Sequence, residues 1–572
     1  MAMLLLILIL PAVLAVLLAF RASRPAALAL APWAALPALG AAVFGWPQEI
    51  MKIQGLLLGA AFGIDALNRP FLLLTAALWL AGGIAAGAYH RGDPKRVQLF
   101  AFHLVTLTGN LGLVLARDAV FFYLFFIIMS FAAFGLVVHA ATPEARRAGR
   151  VYIILIIVGE ALLLPGLWMA VADAESLSLT DVAANVAEQG GLAMLLLAAG
   201  FGVKAGVLPL HVWLPLAHPV APTPASALLS GSMIKAGVLG WISFLPLGLV
   251  GAPSLALVFI VAGVLAAYYG AVVGICQRKA KTVLAYSSIS QMGLITAAVG
   301  IGLSHPNAFP AAAITIAVYS LHHALAKGAL FLGVGVVENT GSPGARRGAF
   351  ALLLVPALAL AGAPLTSGLI AKTVLKDAVA VLPAAWYGPL NFLLVLAAAG
   401  TTLLMARFIY VLSGSEGHAG RPGLWPPWIA LIVAGVMLAI LPFAIGWPID
   451  SARISLADWW DSLWPIALGI ACAGGALALR RRQVVPALPA LPEGDILWPL
   501  VRAGRSLLTA LPRPPAEAIA RLRDLAAARR QRSQSFAASL VVAAERALIS
   551  WPGIGSGVLI TMLVVFLMLA QG

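Results

Sequence analysis

Four of the chain's nine lysines lie inside long apolar segments, where an ionisable side chain is unexpected. They are Lys204, Lys235, Lys327 and Lys372. A charge inside a membrane-spanning segment costs about 3 kcal/mol on insertion scales and usually marks an ion pathway or a buried pair. A buried amine that is neutral in one state and charged in another can hold and release a proton. The four lysines therefore predict a proton pathway; the alternative is that one or two snorkel to a surface or form static pairs.

Histidines and one acid accompany these lysines in the apolar segments. Histidine titrates near neutral pH and therefore suits proton transfer. Helical spacing predicts that Lys204 and His211, seven residues apart, share one face, as do His323 and Lys327, four apart. Adjacent His322 and His323 point about 100° apart on a helix, so they are poorly placed to bind one metal ion. The accompanying residues are Glu160, His211, His218, His322 and His323.

Two apolar segments are interrupted by motifs that contain proline. One interruption runs from Val207 to Pro215, and the other runs from Ala361 to Gly368, just before Lys372. Proline removes a backbone hydrogen bond, so an interrupted helix in a membrane is tolerated only within protein or beside water. Paired interruptions are typical of transporters built from inverted repeats, which we predict here. Ordinary proline kinks without a function are the alternative.

The composition indicates an integral membrane protein. Of 572 residues, 62% are hydrophobic and 10% are charged, whereas soluble domains have about 25% charged residues. The two cysteines cannot form a disulfide scaffold or hold an iron–sulfur cluster within this chain alone. Sixteen segments, give or take two, have the length of about 20 residues that a spanning helix needs. We predict an all-α integral membrane protein with about 14–16 transmembrane helices.

Basic residues concentrate in the loops that follow odd-numbered apolar segments. The loop after the sixth segment is instead acidic, and the net charge of the chain is +15. Because basic loops face the cytoplasm, we predict that the N-terminus is outside and the basic loops are cytoplasmic, in a cell inner (plasma) membrane. The same rule explains the positive charge, so no nucleic acid is expected as a partner. The basic residues that follow odd-numbered segments include Arg21, Arg24, Arg91, Lys95, Arg96, Arg146, Arg147, Arg278, Lys281, Arg346 and Arg480.

Four motifs resemble those of one family of membrane subunits. They are GFGVKAGVLPLHVWLP over 200–215, LAYSSISQMG over 284–293, HALAKGALFL over 323–332 and PLTSGLIAK over 364–372. They look like the seventh-, tenth-, eleventh- and twelfth-helix motifs of the antiporter-like (proton-translocating) subunits of respiratory complex I (NADH:quinone oxidoreductase). The same family includes subunits of Mrp cation/proton antiporters and of group 4 membrane-bound hydrogenases. The resemblance covers roughly residues 60–415.

The resemblance implies two half-channels joined by a connector. Lys204 is expected to be the central lysine of the cytoplasm-side half-channel, and Lys372 the lysine at the broken helix of the second. The residues expected between them are Lys235, His211 and His218 toward the middle, and Lys327 with His323 as the connector.

Five regions are expected along the chain. N-terminal transmembrane helices occupy 1–115, an antiporter-like proton-translocation core 116–415, and C-terminal transmembrane helices 416–482. A basic amphipathic segment on the cytoplasmic membrane surface follows over 483–549, with a solvated linker as the alternative, and a final transmembrane helix over 550–572. The last two regions resemble the lateral-helix extension of some family members, which would brace a neighbouring subunit.

Three positions depart from the family pattern. Ile127 stands where the family normally has a buried glutamate opposite Lys204. Glu160 on the next helix is a candidate replacement; the rival interpretation is an altered or inactive first half-channel. Leu216 and Lys279 also stand where the family often has acids. These changes leave two alternatives, a subunit that transports a different ion and a subunit that is retained for assembly.

The sequence predicts a proton-translocating subunit of a multi-subunit redox-driven complex, of the complex I or group 4 hydrogenase type. The alternatives are an Mrp-type antiporter or ion-coupled inorganic-carbon uptake subunit without a redox partner, and a structural subunit with an impaired channel. No phosphate-binding loop, dinucleotide fingerprint or metal-ligand spacing occurs, so no catalytic redox site, cofactor or metal is expected in this chain. The expected partners are other membrane subunits, lipid, protons or sodium ions, and redox subunits with flavin, iron–sulfur or nickel centres.

Overall fold

A computed structural model describes residues 1–45, 50–418, 420–444 and 455–483, together with 489, 491–497, 499 and 502. Within these residues the chain is almost entirely helical, which confirms the predicted all-α membrane protein. The predicted final span over 550–572, and most of the basic segment over 483–549, lie outside the described residues.

Twenty α-helices follow one another along the described part of the chain. They are α1 (Ala2–Leu17), α2 (Arg24–Leu30), α3 (Leu36–Phe44), α4 (Arg69–Tyr89), α5 (Arg96–Leu115), α6 (Ala119–Val137), α7 (Pro143–Ala172), α8 (Leu179–Gln189), α9 (Gly191–Ala205), α10 (Trp213–Val220), α11 (Thr223–Leu228), α12 (Lys235–Phe244), α13 (Pro253–Ile275), α14 (Ala280–Ser304), α15 (Phe309–Glu338), α16 (Pro343–Ala361), α17 (Ser367–Ala380), α18 (Ala384–Ser413), α19 (Trp425–Ala444) and α20 (Leu456–Arg481). An antiparallel pair of short strands, β1 (Met51–Ile53) and β2 (Ala60–Phe62), lies between α3 and α4.

Local sequence signals explain where several helices begin. The Thr142 hydroxyl accepts a hydrogen bond from the backbone N–H of Ala145, and Pro143 occupies the first position of α7. Ser455 and Asp458 form a reciprocal capping box at the start of α20. These groups satisfy backbone donors that a helix start leaves without a partner inside the helix.

The described residues contain thirteen spans that are long and apolar enough to cross a membrane. Helices α1 and α9 are also apolar but are shorter, with 16 and 15 residues. One of the thirteen spans combines α2 and α3, and another combines α11 and α12. The predicted number is about 14–16 over the whole chain, and the predicted final span lies outside the described residues.

Burial separates the inner helices from the outer ones. The most apolar windows of α14 and α15 are 100% buried, whereas the window of α7 is 33% buried and exposes Trp168. An outer helix with an exposed apolar face is suited to contact lipid. Helices α14 and α15 therefore form the centre of the bundle, where an ionisable side chain is farthest from the surface.

Both predicted interruptions are present. The chain turns at Gly206 after α9, with a φ of 69°, and at Gly362 after α16, with a φ of 89°. Residues with a Cβ rarely adopt this left-handed conformation, so glycine suits both helix ends. The relation of the two broken helices by an inverted repeat stays a prediction.

One expectation about helical faces is wrong. Lys204 lies at the end of α9, but His211 lies in the turn between α9 and α10. The two residues share no helical face because Gly206 ends the helix between them. The other predicted pair, His323 and Lys327, lies on the single helix α15.

Candidate functional site

Helix α15 brings two predicted pathway residues, His323 and Lys327, and the neighbouring His322 to the centre of the bundle. His322 is 1% exposed, and His323 and Lys327 are fully buried. His322 and His323 contact different neighbouring helices, as their adjacent positions on a helix predict. Helix α15 therefore joins groups that are far apart in the sequence.

The closest contact between two predicted pathway residues joins α12 to α15. Lys235 Nζ lies 2.6 Å from His323 Nδ1 and donates a hydrogen bond of 2.9 Å to the Ser230 carbonyl. A π-helical turn over Leu229–Met233 precedes Lys235, and such turns are frequent at functional sites. The Nε2 atom of His323 is buried without a hydrogen-bond partner in the described protein. Two titratable groups in contact hold a proton jointly, so this pair can accept and release one.

Lys327 lies one helical turn further along α15 and contacts α14. Its Nζ donates hydrogen bonds of 2.6 Å to the Leu284 carbonyl and to the Ser287 hydroxyl. The next residue of α14, Ser288, shares a hydrogen bond of 2.7 Å with Ser230 in the π-helical turn. Hydroxyl groups of α14 thus connect the surroundings of Lys327 to those of Lys235.

The second broken helix contacts the same central helix. His322 Nδ1 lies 2.9 Å from the hydroxyl of Ser367, the first residue of α17. Lys372 of α17 is partly buried and donates a hydrogen bond to the carbonyl of Ala361, the last residue of α16. The lysine therefore lies at the break, as predicted.

A second lysine on α17 has a different environment. Lys376 forms salt bridges of 3.0 Å with Asp458 and 2.6 Å with Asp461, both on α20. Lys372, one turn earlier, forms no salt bridge with a described residue. Lys376 thus joins two helices through charge, whereas the only described hydrogen bond of Lys372 is to a backbone carbonyl at the break.

Lys204 lies near the end of α9 and contacts a tyrosine. Its Nζ donates a hydrogen bond of 3.4 Å to the hydroxyl of Tyr152, which donates in turn to the Ser130 carbonyl at 2.8 Å. Glu160 and Lys204 interact electrostatically, but no salt bridge forms between them within the described protein. Tyr123 and Tyr152 also interact with the Glu160 carboxylate. Glu160 is thus close enough to act on Lys204 through its charge.

The two predicted histidines around the first break have unusual surroundings. His218 is fully buried and stacks on Phe331 at 4.6 Å between ring centroids. Neither of its ring nitrogens has a hydrogen-bond partner among the described residues. Buried polar atoms normally have partners, and a water molecule commonly supplies one. His211 Nε2 lies 3.4 Å from Asp495 Oδ2.

Four residues that contact the pathway were not predicted as site residues. The first three are polar residues within apolar helices, and two of them, Ser287 and Ser367, lie in the family motifs but are not predicted as site residues. Asp495 carries no such signal because it lies in a polar stretch far along the chain. The four are Tyr152, Ser287, Ser367 and Asp495.

One cluster away from the pathway has residue types that could hold a metal ion. His90 Nδ1 and His139 Nε2 lie 2.7 and 2.8 Å from Asp93 Oδ2. These are hydrogen-bond distances, with the carboxylate accepting from both imidazoles. Burial lowers the pKa of His90 to about 4. Burial would raise the pKa of Asp93, but hydrogen bonds from His139, the backbone of Lys95 and His90 hold it well below its usual range. The cluster joins the turn after α4 to the turn after α6.

Comparison with known protein sequences identifies relatives. A family model described as NADH:quinone oxidoreductase/Mrp antiporter, TM, matches residues 116–403. Hydrogenase-4 component B of Escherichia coli (strain K12) is 29% identical over 286 residues, which cover 48% of this chain and 43% of that protein. NADH-quinone oxidoreductase subunit N of Desulforudis audaxviator is 30% identical over 310 residues, which cover 52% of this chain and 59% of that protein. The chain spans about half the length of the first curated relatives it matches.

Solved structures share the fold. A chain of the Mrp complex from Dietzia sp. DQ12-45-1b matches with a TM-score of 0.72 and 24% identity, covering 92% of this chain and 62% of that chain. A chain of the membrane-bound sulfane sulfur reductase, an archaeal respiratory membrane complex, matches with a TM-score of 0.65 and 19% identity. The match covers 82% of this chain and 99% of that chain. The family model covers half of the sequence and includes all four predicted pathway lysines. The chain therefore belongs to the NADH:quinone oxidoreductase/Mrp antiporter family of membrane subunits, as its motifs predicted.

Proposed function

We propose that this protein translocates protons through its buried lysines and histidines. The observation that carries the proposal is the 2.6 Å contact between Lys235 and His323 in the centre of the bundle. Lys327 lies one turn from His323, and α15 also contacts the second break through His322. A proton that arrives at one of these groups changes the electrostatic energy of the next, which couples the sites.

Some neighbouring groups of the proposed path do not make direct contact. No hydrogen bond joins Lys204 to Lys235, or His322 to Lys372, in the part of the chain that the structure describes. We infer that water molecules complete the path at these gaps, because the unpartnered nitrogens of His218 and His323 leave bonding capacity for them. The complete proposed path comprises Lys204, Glu160, His211, His218, Lys235, His323, Lys327 and Lys372.

Two kinds of complex fit a proton-translocating subunit. A redox-driven complex with flavin, iron–sulfur or nickel subunits is our first candidate, because relatives include a hydrogenase component and an NADH-quinone oxidoreductase subunit. An Mrp-type cation/proton antiporter is the second, favoured by the fold match to a chain of an Mrp complex over 92% of this sequence. An inorganic-carbon uptake subunit and a structural subunit are the remaining alternatives.

The proposed orientation follows the charge of the loops. We place the complex in the inner membrane of the cell. In this orientation the N-terminus is outside and the basic loops are in the cytoplasm. The match over 116–403 supports a transport core close to the proposed 116–415. The other regions are proposed to surround this core and to contact other membrane subunits. They are 1–115, 416–482, 483–549 and 550–572.

Native mass spectrometry of the complex, purified in mild detergent, tests the choice between these assemblies. Co-purifying subunits with flavin, iron–sulfur or nickel centres are the result expected for a redox-driven complex. Membrane subunits alone would favour the antiporter, and a single soluble zinc protein would favour the uptake module. Either of the last two results would remove the redox-driven candidate.

Replacing Glu160 with glutamine is expected to reduce proton transport about tenfold. The carboxylate interacts with Lys204 and Tyr123, and an electrostatic loss of about 1.4 kcal/mol in the limiting step corresponds to a tenfold change in rate. Transport is measured in proteoliposomes that contain the assembled complex. Glu188→Gln, which neutralises an exposed acid, is the matched control. Unchanged transport in the Glu160 variant would exclude this residue from the pathway.

A further inference from the structure

A short segment that follows α20 lies against the first broken helix. It comprises residues 491–497. A Cβ atom added at Gly494 would lie 3.1 Å from Leu216 of α10, so the backbone packs closely there. Glu493 Oε1 lies 3.0 Å from Lys279 Nζ and accepts a hydrogen bond of 3.2 Å from the Thr282 hydroxyl. The segment is therefore docked by both packing and charge at the start of α14.

This docking places a carboxylate beside a predicted pathway residue. Asp495 Oδ2 accepts a hydrogen bond of 2.7 Å from the Tyr286 hydroxyl and lies 3.4 Å from His211 Nε2. The side chain of Asp495 is 8% exposed, and that of His211 is fully buried. Tyr269 of α13 also interacts with Asp495, and its ring lies 5.4 Å from that of His211. The carboxylate is thus held between α13, α14 and the turn of the first break.

The surroundings of Asp495 keep its carboxylate ionised. Burial would raise the pKa of Asp495, but hydrogen bonds from His211, Tyr286 and Tyr269 outweigh this effect and lower it to about 2. A fixed negative charge lowers the electrostatic energy of a proton that passes near it. The other ring nitrogen of His211, Nδ1, is buried without a partner among the described residues. This nitrogen is therefore available to a water molecule of the pathway.

We propose that Asp495 is a positioning residue of the proton pathway, and that its fixed negative charge stabilises a proton that passes the first break beside His211. A segment outside the helical core would then supply the anion that this part of the pathway needs. The inference rests on the proposed function, because it assigns a role in the same pathway. A docked segment that only blocks the pathway is the competing explanation, and it predicts the opposite effect on transport.

The test is proton transport in proteoliposomes that contain the assembled complex. Asp495→Asn is expected to lower transport about tenfold, because it removes the negative charge and keeps the shape of the side chain. Asp495→Glu restores the charge and is expected to restore most of the transport. Glu416→Gln, at an exposed acid in the loop after α18, serves as the control.

The outcomes separate this inference from the proposed function. Unchanged or faster transport in Asp495→Asn, or a failure of Asp495→Glu to restore transport, would overturn the role of Asp495. Lys235→Met is measured in the same preparation. If it abolishes transport while Asp495→Asn has no effect, only the present inference fails; if neither variant affects transport, the proposed function fails as well. Co-purification of the other subunits with each variant shows that the complex has assembled.

Discussion

Proton transport is expected to fall at least about a hundredfold when Lys235 is replaced by methionine. Methionine fills a similar volume but carries no proton, and it leaves His323 without its 2.6 Å partner. Loss of a positioned proton-transfer group typically costs about a hundredfold or more in rate. The measurement is proton transport by the purified complex in proteoliposomes.

The control for this variant is Lys52→Met. Lys52 is exposed on β1 and makes no contact with the proposed pathway. Loss of the Lys235 hydrogen bond to the Ser230 carbonyl costs about 1–3 kcal/mol of stability if that group is left without a partner. The thermal stability of the complex is therefore measured alongside transport. Normal transport in a stable Lys235→Met complex would refute the role of this lysine.

Two lysines of α17 are expected to respond differently to the same substitution. Lys372→Met should reduce transport at least about tenfold, because Lys372 lies at the second break without a salt bridge to any described acid. Lys376→Met should leave transport within about twofold of wild type and lower the thermal stability of the complex. It removes the cation that Asp458 and Asp461 share, and a partly buried carboxylate that loses its cation destabilises the folded protein.

The two substitutions are one helical turn apart on the same helix, so each controls for the other. Transport is measured in proteoliposomes, and stability by thermal unfolding of the detergent-solubilised complex. A larger transport loss in Lys376→Met than in Lys372→Met would reverse the assignment of the pathway lysine and the structural lysine.

The sequence predicts the helices and their interruptions well because both depend on local properties. The apolar segments match the spans of the described residues, and Gly206 and Gly362 mark the two breaks. The identity of the buried lysines is also local information, since a lysine in an apolar segment stands out. The pairing of Lys204 with His211 on one helical face failed because a left-handed glycine lies between them.

The contacts of the pathway depend on how distant segments pack, which hydropathy does not encode. Helix α15 is about as apolar as α16, yet its most apolar window is 100% buried whereas that of α16 is 39% buried. The contact of Lys235 with His323 joins residues 88 positions apart, and that of His211 with Asp495 joins residues 284 positions apart. No pattern within either segment indicates such a partner. Glu160 is the exception, because an acid in an apolar helix beside the missing acid at Ile127 already suggested its interaction with Lys204.

The central claim, that Lys235 must gain and lose a proton, is tested most directly by Lys235→Arg. Arginine keeps the positive charge but does not release its proton in proteins. The measurement is proton flux into proteoliposomes under an imposed membrane potential, followed with a trapped pH-sensitive dye, for wild type and the variant. We predict a clear flux for wild type and at least a hundredfold lower flux, about the level of empty liposomes, for Lys235→Arg. A wild-type flux in the arginine variant would contradict the claim and leave this lysine as a fixed charge.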